Sequence, residues 1–367
     1  CRQWQCEANR EGQDSVHVSL LQFSPGLVLS ATGLQSVVTE PAFKFYTVAS
    51  NMAMHLLSTI DARYMAPFEV TVRSVLDHLP VHREVDWHVL CPVLPEEQRL
   101  AVFRLADSRP VRFHWHQVPE DALSAYPVRG HFVPMVYARV LAPDILPSSV
   151  DRLLYLDADL LVLDDISELW ALPLEGAIVA AAQDMAVPHV SSPMGLRRFE
   201  QLGIAPDAPY FNAGVYLADL AGWREEEITE KTLTYLERYH DDVNLLDQDA
   251  LNAVLHGRWR RLDVRWNLIA SLAGRSHYRP RDIDPLEYRR ALAQPGIVHF
   301  AGLLKPWAQP GIASFQAERY LEVLRQLHPN HAPQKGWRAR GMGLYDRRLR
   351  RLLYPLEKLI WHRRKGF

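Results

Sequence analysis

Two aspartates stand one residue apart at the end of an apolar run. Asp157 and Asp159 follow residues 153–156, which have the sequence LLYL. In extended backbone, residues i and i+2 project to the same side, so the two carboxylates would repel each other unless a cation lay between them. Carboxylate oxygens suit Mg²⁺ and Mn²⁺, which proteins often share with substrate phosphates. The pair therefore predicts a divalent-metal site, with two solvated turn residues as the alternative.

An Asp-x-Asp pair after a strand is typical of two classes of enzyme. In phosphate-transferring hydrolases the first aspartate is a nucleophile, and their pattern has threonine where this chain has Leu161. In nucleotide-sugar-dependent glycosyltransferases both aspartates hold a metal that neutralises the leaving diphosphate. The pair alone leaves both classes open, together with a catalytically silent sugar-binding scaffold.

Short apolar runs alternate with longer amphipathic segments in the region around this pair. Strands are predicted over 54–60, 86–93, 111–118, 153–156 and 177–182. Helices are predicted over 67–79, 95–106, 135–143, 223–240 and 248–255. The alternation is typical of an α/β fold with a Rossmann-like, mainly parallel sheet and flanking helices. Because ligands bind at the carboxyl ends of strands in such sheets, we expect the site among the residues that follow each strand.

The composition is that of an ordinary folded protein, but its charge is unevenly distributed. Of the 367 residues, 48% are hydrophobic and 23% are charged, which excludes a wholly disordered chain. The net charge of −2 indicates no preference for nucleic acid. Residues 335–367 hold eleven Lys or Arg against two acids, which gives +9 and leaves −11 for the rest. Three cysteines without a metal-binding or disulfide pattern favour a reducing compartment.

Three regions are predicted along the chain. Residues 1–51 carry few charges and precede the first methionine, Met52, so they form an atypical extension that need not be native. Residues 52–334 form a catalytic domain. Residues 335–367 form a basic tail that predicts an amphipathic helix on an anionic membrane surface, with docking on the acidic body or on a partner as the alternative. The apolar stripe of the tail consists of Tyr345, Leu349, Leu352, Leu353, Leu356 and Ile360.

Several further motifs accompany the acidic pair. They are STIDARY at 58–64, YAR at 137–139, YFNAGV at 210–215, DQDALN at 247–252 and VHFAGLLKPW at 298–307. In this order, from about residue 54 to residue 307, the chain resembles glycosyltransferase family 8. That family includes bacterial lipopolysaccharide α-galactosyl- and α-glucosyltransferases and glycogenin. The resemblance implies a GT-A fold, a UDP-hexose donor, a retaining reaction and Mn²⁺, with Mg²⁺ as the alternative ion.

The resemblance assigns the first motif to the nucleotide. Thr59 and Ile60 would contact it through their backbone. Asp61 would accept a hydrogen bond from the uracil N–H, and Tyr64 would stack on the base. A carboxylate at this position could instead cap a helix.

The acidic pair and the last motif would hold the metal and the diphosphate. By the resemblance, His299 completes the metal site with Asp157 and Asp159, and Ala158 between them contacts the donor. A neutral imidazole suits such a site. Besides the metal, the backbone N–H of Gly302 and the ammonium group of Lys305 would contact the diphosphate.

The remaining motifs would bind the sugar and the acceptor. By the resemblance, the donor-sugar residues are Arg139, Asn212, Ala213, Asp247 and Gln248, and the acceptor-side residue is Asp184. For Arg139 the alternative is a salt bridge to the acidic cluster, and for Asp247 it is a helix cap. Gln248 would lie near the anomeric carbon, and because an amide is a poor nucleophile, front-side attack is favoured over a covalent intermediate.

These expectations combine into one function. The chain would move galactose or glucose from UDP to a hydroxyl of a lipopolysaccharide-type, lipid-linked or other glycan, with Gln248, Asp247, Asp184 and Arg139 as the catalytic residues. It would work in the cytoplasm, peripherally at the inner face of the cytoplasmic membrane.

Overall fold

The computed structural model describes residues 53–119, 123, 126, 134–275, 282–302, 305–308 and 314–330. The predictions for residues 1–51 and for the tail at 335–367 lie outside the described residues. Within the described ranges, no helix is both long enough and apolar enough to cross a membrane.

Strands and helices alternate along most of the described chain. The described strands are β1 (Met54–Thr59), β2 (Val85–Cys91), β3 (Val111–Gln117), β4 (Arg152–Leu156), β5 (Leu160–Val162), β6 (Val179–Gln183), β7 (Phe211–Asp219), β8 (Trp259–Leu262), β9 (Leu268–Ile269) and β10 (Ile297–His299). The described α-helices are α1 (Met65–His78), α2 (Glu96–Ala106), α3 (Ala142–Ile145), α4 (Ser167–Ala171), α5 (Leu220–Glu225), α6 (Ile228–Arg238), α7 (Asp247–Val254), α8 (Pro285–Ala293) and α9 (Ala317–Leu327). Segments of 3₁₀ helix occupy Ala62–Tyr64, Pro134–Leu141 and Val264–Trp266.

Seven strands form one sheet, in the order β3-β2-β1-β4-β7-β6-β8. The first four strands in that order run parallel to one another, whereas β7 runs antiparallel to both β4 and β6. Successive side chains of β1 and β4 enter different cores: Leu56 and Leu154 pack with α1 on one face, and Leu57 and Tyr155 pack with α5, α6 and α7 on the other. The predicted mainly parallel α/β sheet with flanking helices is confirmed.

A smaller sheet of β5, β10 and β9 extends from the end of β4. β10 pairs antiparallel with β5, with His299 opposite Leu160, and it pairs parallel with β9. Because β5 begins directly after Asp159, this pairing brings His299 beside the acidic pair from a distant part of the sequence.

Two predicted helices differ from the structure. The segment 223–240 contains parts of two helices, α5 and α6, which are separated at Glu227 with a left-handed φ of 53°. The segment 135–143 is mostly 3₁₀ helix, and it continues into α3 beyond Pro143. Proline is tolerated there because it lies in the first turn of α3, where its missing N–H breaks no helical hydrogen bond.

Candidate active site

Three potential metal ligands meet where β4 ends and β10 ends. Asp157, Asp159 and His299 each offer one ligand atom, and these atoms all lie within 4.8 Å of one another. His299 Nε2 lies 3.5 Å from Asp157 Oδ2 and 3.2 Å from Asp159 Oδ1. Two carboxylates and one imidazole form a donor set that suits a divalent cation such as Mn²⁺ or Mg²⁺. The residues present therefore fit a metal at the predicted position.

Lys305 adds a buried positive charge to this group. Its Nζ donates to Asp159 Oδ2 and to the carbonyl oxygen of Phe300, which is 2.7 Å away. Burial acts to raise the pKa of Asp159, but Lys305 and His299 outweigh it and hold that pKa well below its usual range. Nζ also lies 5.8 Å from the centroid of the Tyr64 ring. The lysine therefore keeps Asp159 ionised and able to bind a cation.

Asp157 is held by a chain of hydroxyl groups and by an arginine. The hydroxyl of Tyr155 donates to Asp157 Oδ1 over 2.7 Å, and Thr59 Oγ1 lies 2.9 Å from that hydroxyl. Arg139 Nη1 lies 3.3 Å from the same carboxylate oxygen, and its guanidinium lies 4.7 Å from the centroid of the Tyr155 ring. These contacts engage Oδ1 and leave Oδ2 facing His299.

Arg139 is buried between two carboxylates, so the salt bridge considered as its alternative role is present. Its Nε lies 2.9 Å from Asp247 Oδ2, although the Nε–H group is directed at the carbonyl oxygen of Val136. Burial acts to lower the pKa of Arg139, but Asp157 and Asp247 raise it well above its usual range. Burial raises the pKa of Asp247 to about 6, against the effect of Arg139.

Asp247 does not cap a helix. It is the first residue of α7, and Leu246 occupies the N-cap position. Within the described part of the chain, its Oδ2 atom is buried and accepts no hydrogen bond. This oxygen is paired in charge with Arg139 but receives no aligned hydrogen bond, and a sugar hydroxyl could donate one.

Asp184 orients two amide side chains at the cavity wall. Its Oδ2 accepts from Asn212 Nδ2 over 2.7 Å and from Gln248 Nε2 over 3.2 Å. Its Oδ1 accepts from two backbone N–H groups of the following turn. Gln248 Oε1 in turn accepts from the backbone N–H of Ala213 over 2.9 Å. Both ends of the Gln248 amide are therefore engaged.

The first motif forms the opposite end of the site. Asp61 caps the 3₁₀ helix Ala62–Tyr64 by accepting from the backbone N–H of Arg63 over 2.8 Å, and it forms an ion pair with the Arg63 guanidinium. The capping role considered for Asp61 is therefore present. The ring of Tyr64 lies edge-on to Trp307, with 6.0 Å between centroids.

The predicted site residues converge on one cavity of about 470 Å³. All sixteen line it: Thr59, Ile60, Asp61, Tyr64, Arg139, Asp157, Ala158, Asp159, Asp184, Asn212, Ala213, Asp247, Gln248, His299, Gly302 and Lys305. This volume lies in the range of pockets that bind small molecules. The structure brings the residues together, and the role of each stays a prediction.

Sequence reasoning missed two residues that shape the site, Tyr155 and Asn267. Tyr155 lies in an apolar run, where nothing marks its hydroxyl as a partner of Asp157. Asn267 lies in none of the motifs, yet its side chain lies 2.9 Å from His299 Nδ1. Gly214 lies in the YFNAGV motif, and its lack of a side chain leaves room for two of the candidate ligands. A Cβ atom there would lie 2.7 Å from Asp157 Oδ2 and 2.8 Å from His299 Nδ1.

The mainly parallel sheet and the acidic pair at its carboxyl edge agree with the GT-A fold that the resemblance implied. The sequence profile of the family described as Glycosyl transferase family 8 matches residues 55–311. The chain belongs to that family, as the motifs predicted.

Named relatives and solved structures agree with this assignment. The chain is 31% identical over 259 residues to General stress protein A of Bacillus subtilis, covering 69% of this chain and 87% of the relative. It is 26% identical over 288 residues to Lipopolysaccharide 1,2-glucosyltransferase of Escherichia coli, covering 78% and 82%. Among solved structures it is similar to galactosyltransferase LgtC in complex with donor and acceptor sugar analogs, with TM-score 0.64, 28% identity, and coverage of 78% of this chain and 99% of the other.

Proposed function

We propose that this glycosyltransferase moves a hexose, galactose or glucose, from a UDP-sugar to a hydroxyl of a glycan, with retention of anomeric configuration. One observation carries the proposal. A divalent-metal donor set and a buried lysine lie in the same cavity as Asp247, whose Oδ2 atom has no hydrogen-bond donor among the described residues. Such a cavity offers cationic groups to a diphosphate and an acceptor to a sugar hydroxyl.

The nucleotide end binds UDP through the residues of two motifs. Lys305 binds the diphosphate as a point charge, and Gly302, with a left-handed φ of 87°, presents its backbone beside it. Tyr64 and Asp61 bind the uracil ring. When bound by Asp157, Asp159 and His299, Mn²⁺, or Mg²⁺ as the alternative, would supply charge that stabilises the leaving diphosphate.

Retention, which the family resemblance implies, could proceed with or without a covalent intermediate on Gln248. Its Oε1 accepts from Ala213 and its Nε2 donates to Asp184, so the amide is held in place and is a weak nucleophile. This favours attack by the acceptor hydroxyl on the face from which UDP departs. The bond between the anomeric carbon and the phosphate oxygen breaks, the bond to the acceptor oxygen forms, and the departing phosphate oxygen takes the hydroxyl proton. A covalent glycosyl-enzyme intermediate is the alternative.

The acceptor and the location are proposed from the relatives and from the tail. The relative named Lipopolysaccharide 1,2-glucosyltransferase supports a lipopolysaccharide-type or lipid-linked glycan as acceptor. Residues 335–367 carry a charge of +9 in the sequence, which supports peripheral contact with an anionic membrane. The enzyme would then work in the cytoplasm, at the inner face of the cytoplasmic membrane.

UDP release tests the function. The full chain is incubated with Mn²⁺ and each of several UDP-sugars, with and without glycan acceptors. We expect release from UDP-galactose or UDP-glucose that rises when an acceptor is added, and a product that keeps the α configuration by NMR. Full-rate release without acceptor from any nucleotide would indicate a hydrolase. Absence of both binding and release would indicate a silent scaffold.

A further inference from the structure

Asn267 is a buried amide behind the candidate metal site. It follows the 3₁₀ helix Val264–Trp266, is 1% exposed, and precedes β9. β9 pairs with β10, whose last residue is His299. Asn267 Oδ1 lies 2.9 Å from His299 Nδ1.

The orientation of the neighbouring Asn212 amide is fixed by two groups, one of which can only donate a hydrogen bond and the other of which can only accept one. The backbone N–H of Gly214 can only donate, and it lies 2.9 Å from Asn212 Oδ1. The Asp184 carboxylate can only accept when ionised, and its Oδ2 lies 2.7 Å from Asn212 Nδ2. The Asn212 amide therefore has its oxygen on the Gly214 side and its nitrogen on the Asp184 side.

The same reasoning extends to Asn267 and then to His299. Asn267 Nδ2 donates to Asn212 Oδ1 over 2.9 Å, so Asn267 Oδ1 must face the imidazole. An oxygen can only accept, so the ring places its hydrogen on Nδ1. In the neutral ring the lone pair then lies on Nε2, the atom that faces Asp157 and Asp159 at 3.5 and 3.2 Å.

We propose that Asn267 is a positioning residue that selects the Nδ1–H tautomer of His299 and so prepares Nε2 as a metal ligand. In the opposite tautomer, the bare Nδ1 of His299 would face Asn267 Oδ1, so that two acceptors would meet. A flipped Asn267 amide would likewise place its oxygen against Asn212 Oδ1. The chain of amides also links the metal histidine to Asp184, which orients Gln248. The inference rests on the proposed function only in that the site binds a metal.

The first test observes the tautomer without any metal. Long-range ¹H–¹⁵N NMR of the metal-free chain in mildly alkaline buffer is recorded, and the His299 signals are identified by their loss in His299→Gln. We expect the hydrogen on Nδ1 in the wild type and a mixture of tautomers in Asn267→Leu. A wild-type ring with its hydrogen on Nε2 would overturn the inference, whatever the activity of the enzyme.

The second test measures Mn²⁺ affinity from the free-Mn²⁺ EPR signal. Loss of a partner behind a metal ligand typically weakens metal binding by about 10–100-fold, and we expect this for Asn267→Leu. Asn267→Asp keeps an oxygen toward Nδ1 but loses the Nδ2 donor to Asn212 Oδ1, so its Mn²⁺ affinity should lie between those of the wild type and Asn267→Leu. Asn252→Leu is the matched control, because Asn252 is an equally buried amide that bonds the backbone of Phe211 and Gln248. The Asn252→Leu variant should have lower thermal stability than the wild type but the same Mn²⁺ affinity.

The outcomes separate the two claims. Equal Mn²⁺ affinity for wild type and Asn267→Leu would overturn the role of Asn267 while leaving the proposed function in place. A wild type that binds no Mn²⁺ would count against the proposed function, and the tautomer measurement would still decide the role of Asn267.

Discussion

At the scale of single residues, the candidate metal site depends on the absence of a side chain at Gly214. Its backbone carbonyl accepts from the N–H of Asp157 over 2.8 Å, so β7 runs directly beside the acidic pair. The space that a Cβ atom would fill is taken by Asp157 and His299. Glycine therefore lets two of the three ligands approach each other.

We predict that Gly214→Ala weakens Mn²⁺ binding by at least about tenfold, because the added methyl group displaces the ligand side chains. The overpacking should also cost about 1–3 kcal/mol of folding free energy. EPR titration with Mn²⁺ and thermal unfolding measure the two effects separately. Gly222→Ala is the control, since its Cβ would lie 2.7 Å from Asp219 Oδ2 and 2.8 Å from Ile178 Cδ1, away from the site. Wild-type Mn²⁺ affinity in Gly214→Ala would contradict this interpretation.

The sequence indicated the candidate ligands but not the groups that orient them. Asp157 and Asp159 are recognisable because two acids one residue apart after an apolar run repel each other unless a cation lies between them. Asn267 contacts His299 across elements that are distant in sequence, and that contact exists only after the sheet registers are set. Tyr155 bonds Asp157 only two residues away, but it lies in an apolar run that does not mark its hydroxyl as a partner. Arg139 and Asp61 have the structural roles considered for them, and both still line the cavity.

At the scale of elements, the alternation of strands and helices predicted five of the seven strands of the main sheet but missed β7 and β8. The small sheet was beyond prediction, because β5, β9 and β10 have only two or three residues each and carry no periodicity. The break between α5 and α6 was also missed, since residues 223–240 contain neither glycine nor proline. Glu227 adopts its left-handed conformation there without a local signal.

A row of stacked histidines crosses β1, β2 and β3. His88 lies at its centre, with Nε2 3.2 Å from His55 Nδ1 and Nδ1 3.1 Å from His116 Nε2. Burial lowers the pKa of His88 to about 3, and the neighbouring histidines act in the same direction. Burial also lowers the pKa values of His55 and His116.

We predict that the His88→Gln variant loses less stability than the wild type when the pH falls. The unfolded His88 side chain takes up a proton near its ordinary pKa of 6.5, whereas the folded one resists protonation down to about 3. The folded state therefore loses stability below the higher value, by about 2 kcal/mol for this group between about pH 7 and pH 5.

Denaturant unfolding at several pH values measures the difference. Asp247 and Asp249, whose pKa values are raised to about 6 by burial, act in the opposite direction in both proteins and cancel in the comparison. Parallel pH dependence of wild type and His88→Gln would contradict the prediction.

At the scale of the whole molecule, charge is divided between the tail and the rest. Residues 335–367 carry +9 and the remainder carries −11, so the near-neutral total describes neither part. A bound cation and a UDP-sugar would alter the local charge of the candidate site. The positive charge of residues 335–367 would remain available to contact an anionic surface. The proposed membrane contact depends on this separation.

We predict that replacing four tail arginines by glutamine in the full chain weakens co-sedimentation with phosphatidylserine vesicles by at least about tenfold, because each basic residue near such a surface contributes about 1 kcal/mol. The four are Arg347, Arg348, Arg350 and Arg351. A matched control replaces four exposed arginines of the body: Arg73, Arg104, Arg289 and Arg319. Equal sedimentation of the two variants would argue against a membrane-binding tail.

The central claim is that Asp157 and Asp159 hold the metal on which sugar transfer depends. The direct measurement is UDP release from UDP-galactose and UDP-glucose, at varied Mn²⁺, by wild type, Asp157→Asn and Asp159→Asn. Asp164→Asn serves as control, because that nearby carboxylate pairs with Arg265 outside the cavity. We expect Mn²⁺-dependent release by wild type and control, and loss of at least about 100-fold in both site variants, as for removal of a transition-state charge stabiliser. Near-normal release by both site variants would contradict the assignment of the metal site.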